Sequence, residues 1–195
     1  MANILGNFNR AVIIGLILLA AVIGVFHGAA IGGDTGRWAG WLLRATHAWV
    51  GVLWIGLLYY FNFVQIPTMP KVPAELKPAV SKYIAPEALF WFRWSALATL
   101  IFGLGIPGLS GYSLGNPLTF QPGYALIGTG MWLGIIMAAN VWMIIWPAQK
   151  IALGIVDGSA DEKAAAAKKA MMGSRVNFIL SFPMLYCMVT QQGAL

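Results

Sequence analysis

The chain has 195 residues, of which 59% are hydrophobic and 9% charged. Soluble domains run near a quarter charged, so this composition cannot cover a water-facing surface, and an all-α integral membrane protein is expected. The net charge of +6 fits basic loops that hold orientation in a bilayer and argues against a nucleic-acid partner. The single cysteine, Cys187, excludes an internal disulfide, a CxxC metal clasp and covalent c-type haem attachment.

The first predicted element, residues 11–31, is an apolar run preceded by Arg10 and ending near "HGAA". A signal peptide has a similar layout; the run is read as a retained helix. The second, residues 38–66, contains "RATHAWVGVLWIGLLYYFNFVQ" and is followed by "PTMPKVPAELKP", whose four prolines in twelve residues exclude a continuous helix. Residues 86–109 form the third element, and "GLSGYSLGNPLTFQPG" after it is a charge-free turn region. The fourth element is 123–146. In "GSADEKAAAAKKAMMG", Ser159 is followed three residues later by Glu162, a capping-box pattern. It predicts a short helix along the membrane surface that ends near Gly173, before a fifth span at 174–190. Each span is close to the ~20 residues that cross a bilayer. A single transmembrane domain over residues 1–195, a bundle of five helices without internal repeats, is expected.

Five spans place the N-terminus and the second and fourth loops on one side. Arg10, Lys71, Lys77, Lys82, Arg93, Lys150, Lys163, Lys168, Lys169 and Arg175 lie toward that side, ten of the twelve basic residues; Arg37 and Arg44 lie toward the other. The positive-inside rule then predicts a cytoplasmic N-terminus and a periplasmic C-terminus in a bacterial inner membrane.

The two histidines, His27 and His47, are the candidates for chemistry. One helix rises and the next descends, which puts both at roughly 7–9 Å outside the bilayer centre. Consecutive helices are usually neighbours, so the imidazoles could hold a haem b between them. The plainer alternative is that each bonds a backbone carbonyl. On the second helix Arg44, His47, Gly51, Trp54, Leu58, Asn62 and Gln65 share one stripe. Arg44 could clamp a propionate or snorkel to headgroups. Gly51 could admit the edge of a flat group or simply pack a helix closely. Asn140 is a polar group deep among apolar residues and needs a partner, and Ser174 and Asn177 lie one turn apart at the start of the fifth span.

"THAWVGVLWIGLLYYFNFVQIP", "NVWMIIWPAQK" and "SRVNFILSFPMLYCM" resemble the membrane-embedded N-terminal domain of the bacterial urate hydroxylase (membrane urate oxidase) family, over residues from about 37 to 191. The words around His47 are also similar to those of membrane protoporphyrinogen oxidases that bind haem b. The resemblance implies a membrane redox protein. Family members append a cytochrome c domain with a CxxCH attachment, which these 195 residues lack, so a tail-less short form with a separate electron acceptor is expected.

Two functions remain open on these grounds. One is an inner-membrane redox protein with haem b on His47 and His27, passing electrons to a separate partner, with urate or another small reductant as donor. The other is a non-catalytic accessory subunit of a larger respiratory, photosynthetic or monooxygenase complex. No acid/base pair from which to write a reaction is visible, so whether the chain is an enzyme stays open as well.

Overall fold

The computed structural model describes residues 6–191, and every regular element among them is helical. The backbone divides into two compact units, one ending at Leu42 and one beginning at Leu43.

In the first unit, α1 spans Phe8–Gly33. Asn7 caps it by accepting the Arg10 N–H at 3.1 Å. No residue of α1 is buried, as suits an apolar helix whose solvent is lipid. Asp34 ends it and starts the next helix: its N–H bonds Ala30 O at 2.8 Å and its carboxylate accepts the Arg37 N–H at 3.0 Å.

Helix α2 runs Thr35–Lys71, α3 Lys77–Leu109, α4 Gly115–Leu118, α5 Ala125–Ala152 and α6 Ala160–Thr190. Helices α1, α2, α3 and α5 are long and apolar enough to cross a membrane, and the chain reads as a multi-pass membrane protein. Residues 72–76, in the proline-rich stretch, separate α2 from α3 as expected. Spans 11–31, 38–66 and 86–109 all fall inside observed helices, and 123–146 falls almost wholly within α5.

One expectation is overturned. The surface helix does not end near Gly173; α6 is a single 31-residue helix that continues through it. Gly173 is there because α5 comes close: a Cβ would lie 2.8 Å from Ile145 Cγ1 and 3.3 Å from Asn140 Oδ1. Glycine permits that approach within an unbroken helix. At the start of α6 the capping box is present in full, with Ser159 Oγ accepting the Glu162 N–H and Glu162 accepting the Ser159 N–H at 2.7 Å. Hydrogen bonds to its carboxyl from the Ser159 backbone N–H and the Ser159 hydroxyl hold the exposed Glu162 below its ordinary range.

Three helices widen locally to π-helix, at Tyr60–Gln65 in α2, Val80–Ile84 in α3 and Val141–Ile145 in α5. In each, the next residue bonds five back: Ile66 N–H to Phe61 O, Ala85 to Val80, Trp146 to Val141. In each, a proline follows at once, Pro67, Pro86 or Pro147. A proline ring cannot donate to the carbonyl four residues back and crowds it; a wider turn relieves the crowding.

The core of the second unit lies among α2, α3, α5 and α6. Trp54, Leu58, Phe61, Leu89, Phe92, Met137, Val141 and Met184 are buried there. Phe61 meets Phe92 edge to face at 5.5 Å between centroids.

Candidate functional site

The stripe expected on α2 faces α3 and α6 at successive levels. Arg44 Nη2 donates to Ser110 Oγ at 2.8 Å, where α3 ends. Beside this contact Tyr112 lies against Tyr124, with centroids 5.2 Å apart. Burial pushes the Tyr112 hydroxyl above its ordinary pKa, and Arg44 partly opposes that.

His47 is half-buried one turn further along. Its Nδ1 is 3.0 Å from Thr99 O. A carbonyl only accepts, so the ring proton is on Nδ1, and in the neutral ring Nε2 keeps a bare lone pair. No hydrogen-bond partner of Nε2 is present among the described residues. The ring rests on the backbone of Gly103, where a Cβ would be 2.8 Å from His47 Cε1 and 3.1 Å from Nδ1. Any larger residue at 103 would displace the imidazole. Gly51 follows at a helix contact, with a Cβ there 3.7 Å from Thr99 Cγ2, the close-packing role of a small residue.

Thus Arg44, His47 and Gly51 share a face of α2 and a partner helix, α3. His27 belongs to the other unit, where its ring packs on Trp41 with centroids 4.9 Å apart. Among the described residues, no three His, Cys, Asp or Glu side chains gather as ligands for a bare metal ion.

Below this level the polar residues find one another. Asn62 Nδ2 donates to Leu58 O at 2.8 Å and to Ser174 Oγ at 2.9 Å. Asn140 Nδ2 donates to Gly173 O at 2.8 Å and to Asn177 Oδ1 at 2.7 Å, and Asn177 Nδ2 donates to Met137 O at 3.0 Å. These bonds tie α6 to α2 and α5 where apolar contact adds little against lipid. Arg93, within α3, stacks its guanidinium over Trp146 at 4.0 Å.

Residues 108–194 match the family model described as urate oxidase N-terminal. The urate oxidase N-terminal match takes in Asn140, Ser174 and Asn177; residues 27–51 lie outside it. No curated protein and no solved structure matches the chain.

Thr99, Gly103 and Ser110, which hold His47 and Arg44 in place, were not singled out by sequence reasoning. The signal open to it was "FGLGIPGLSG", a run of small residues inside an otherwise bulky span.

Proposed function

We propose that the chain is a redox domain of the bacterial inner membrane in which His47 Nε2 is an axial ligand of haem b. The observation that supports this reading is the Nδ1–H bond to Thr99 O. Metal-ligating histidines commonly donate their second ring nitrogen to a carbonyl or carboxylate, which fixes ring and tautomer and aims the other lone pair outward. The donor set therefore fits the group. Haem b bound there would supply one-electron transfer. The chain's own residues do the rest: Thr99 O and Gly103 hold the imidazole, and Arg44 of α2, bonded to Ser110 where α3 ends, offers a cation for a propionate. His27 is proposed as the second ligand on sequence grounds alone.

In this reading α6 supplies the fifth span through residues 174–190, the N-terminus is cytoplasmic and the C-terminus periplasmic. The ten-to-two distribution of basic residues supports the orientation. Because α6 is continuous, its first turns project from the membrane instead of lying along it. Haem b held at His47 would take electrons from a small reductant, for which the family's name suggests urate, and pass them to an acceptor.

The test is haem content per chain after purification in detergent, by pyridine haemochrome. We expect haem b in the wild type, none in His47→Ala, and a reduced content or altered spectrum in His27→Ala. Haem retained at wild-type content in His47→Ala would refute the assignment. The accessory-subunit reading keeps one supporting observation, that α1 buries none of its residues, a surface another subunit could cover. Absence of haem together with a fixed-ratio larger complex in the same preparation would favour it.

A further inference from the structure

A cavity of about 250 Å³ lies where the three π-helical stretches meet: Phe61 and Gln65 of the first, Val80 and Ser81 of the second and Ile145 of the third line it. That is just under the ~300 Å³ at which small-molecule sites begin. None of its lining residues is charged, and most are apolar, with Phe61 and Phe92 offering aromatic rings. Two amide oxygens in this stretch are buried without a hydrogen-bond partner, Gln65 Oε1 and Asn62 Oδ1. Asn62 is only 3% exposed, and both donors of its amide are accounted for by Leu58 O and Ser174 Oγ. What is unmet here is therefore acceptor capacity, which calls for a donor. The prolines that widened each helix made the room, and π-bulges of this kind recur at functional sites.

The cavity is not the place proposed for haem. Gln65 follows His47 by eighteen residues on α2, which at 1.5 Å per residue is roughly 27 Å. Nor does it need the haem reading to hold.

We propose that this cavity binds an uncharged, ring-sized molecule that presents an O–H or N–H donor to Gln65 Oε1. Apolar walls exclude ions and hydrated groups, because charge moved out of water without a partner is strongly disfavoured. A phenol or quinol head group has the required form: flat faces for Phe61 and Phe92, and a donor at the ring edge. Its source is either the lipid, for a tailed quinol, or water, for a free ring. A shallower depression lined by Met69, Pro70, Lys77 and Met171 shares residues with the cavity and adjoins it at the break between α2 and α3.

Oxidation offers a clean probe, since a quinone keeps the ring of its quinol and loses both O–H donors. The full chain in phosphatidylcholine nanodiscs is titrated with decyl-ubiquinol and with decyl-ubiquinone, and binding is read as a saturable rise in Tm. The expected result is at least tenfold tighter binding of the quinol. Gln65→Met removes the orphaned acceptor while keeping length, so this variant should lose the quinol preference without melting lower than wild type. Ala170→Leu fills the cavity from α6 and should abolish binding of both forms. Equal affinity for the two forms, no saturable binding of either, or an undiminished quinol preference in Gln65→Met would overturn the proposal. A hydroquinone with the same ring and no tail assigns the source: equal affinity supports entry from water, weaker affinity supports entry from lipid.

Discussion

At the His47 end of α2 the helices are regular and close, with Gly103 and Gly51 letting α3 approach until an imidazole rests on bare backbone. At the Gln65 end, prolines have opened three helices into wider turns, and a cavity stands between them. Both ends carry polar side chains in an apolar surrounding, yet their polar atoms are left in different states. The close end commits one ring nitrogen to Thr99 and leaves a single directed lone pair. The open end leaves two amide oxygens without partners, one of them on Gln65, which lines the cavity. Small residues thus give precise aim to one side chain, while proline-driven widening gives space, and the kind of ligand each end suits follows from that.

The largest effect is expected between the two ends, in the bonds that hold α6. Asn177→Leu removes the bond to Met137 O and leaves the Asn140 amide short of an acceptor. With each orphaned buried group costing roughly 1–3 kcal/mol, unfolding in mixed micelles should show a loss of about 2–4 kcal/mol. An effect within experimental error would mean that water reaches this seam and that it is no part of a dry core. Next in size is Gly103→Val, which forces the imidazole off the α3 backbone. Overpacking of this kind costs about 1–3 kcal/mol, and the bond to Thr99 should vanish from the His47 Nδ1 NMR resonance. If that resonance is unchanged, the close end is more pliant than the comparison holds.

Pro67→Ala sharpens the other side. It restores the backbone donor whose absence widened the turn, so stability should change by less than about 1 kcal/mol while the cavity shrinks. Weaker binding of the quinol probe with an unchanged melting temperature is the expected pair of results. The smallest effect belongs to the exposed start of α6. The Glu162 carboxyl is held low by Ser159, so its contribution is full above the unfolded-state pKa and is lost as pH falls through the lowered folded value. Acidification should fray the first turn of α6, seen as faster amide exchange at Lys163, whose N–H bonds Ser159 O. Ser159→Ala should fray that turn already at neutral pH.

Much of the fold was legible because lipid imposes one simple rule on length and hydropathy. The spans, the proline break and the Ser159–Glu162 box all follow from local chemistry. Gly173 was misread because glycine signals both a helix end and a close helix approach, and only the position of Ile145 on α5 decides between them. The expected fifth span, 174–190, is diluted by Arg175, Asn177 and Ser181, and α6 is not among the four described helices that are long and apolar enough to cross a membrane. For the site, the stripe on α2 was readable from its spacing of three and four. The partner of His47 was not, since Thr99 lies 52 residues away in sequence and offers a backbone atom, which leaves no mark on composition. The open end did leave one: "QIP", "IAP" and "IWP" follow the π-helical stretches of three different helices with the same proline step, and the repetition itself was the clue.

The central claim is that His47 presents Nε2 to a haem iron, and chemical rescue tests it most directly. His47→Gly leaves a hole of imidazole shape against Gly103 and should lose the reduced-minus-oxidised spectrum of haem b. Supplying haemin and free imidazole to this variant should restore the spectrum, and haemin alone should not. A wild-type chain that shows no haem b spectrum when supplied with haemin, or a His47→Gly variant that keeps the full spectrum without imidazole, would contradict the account.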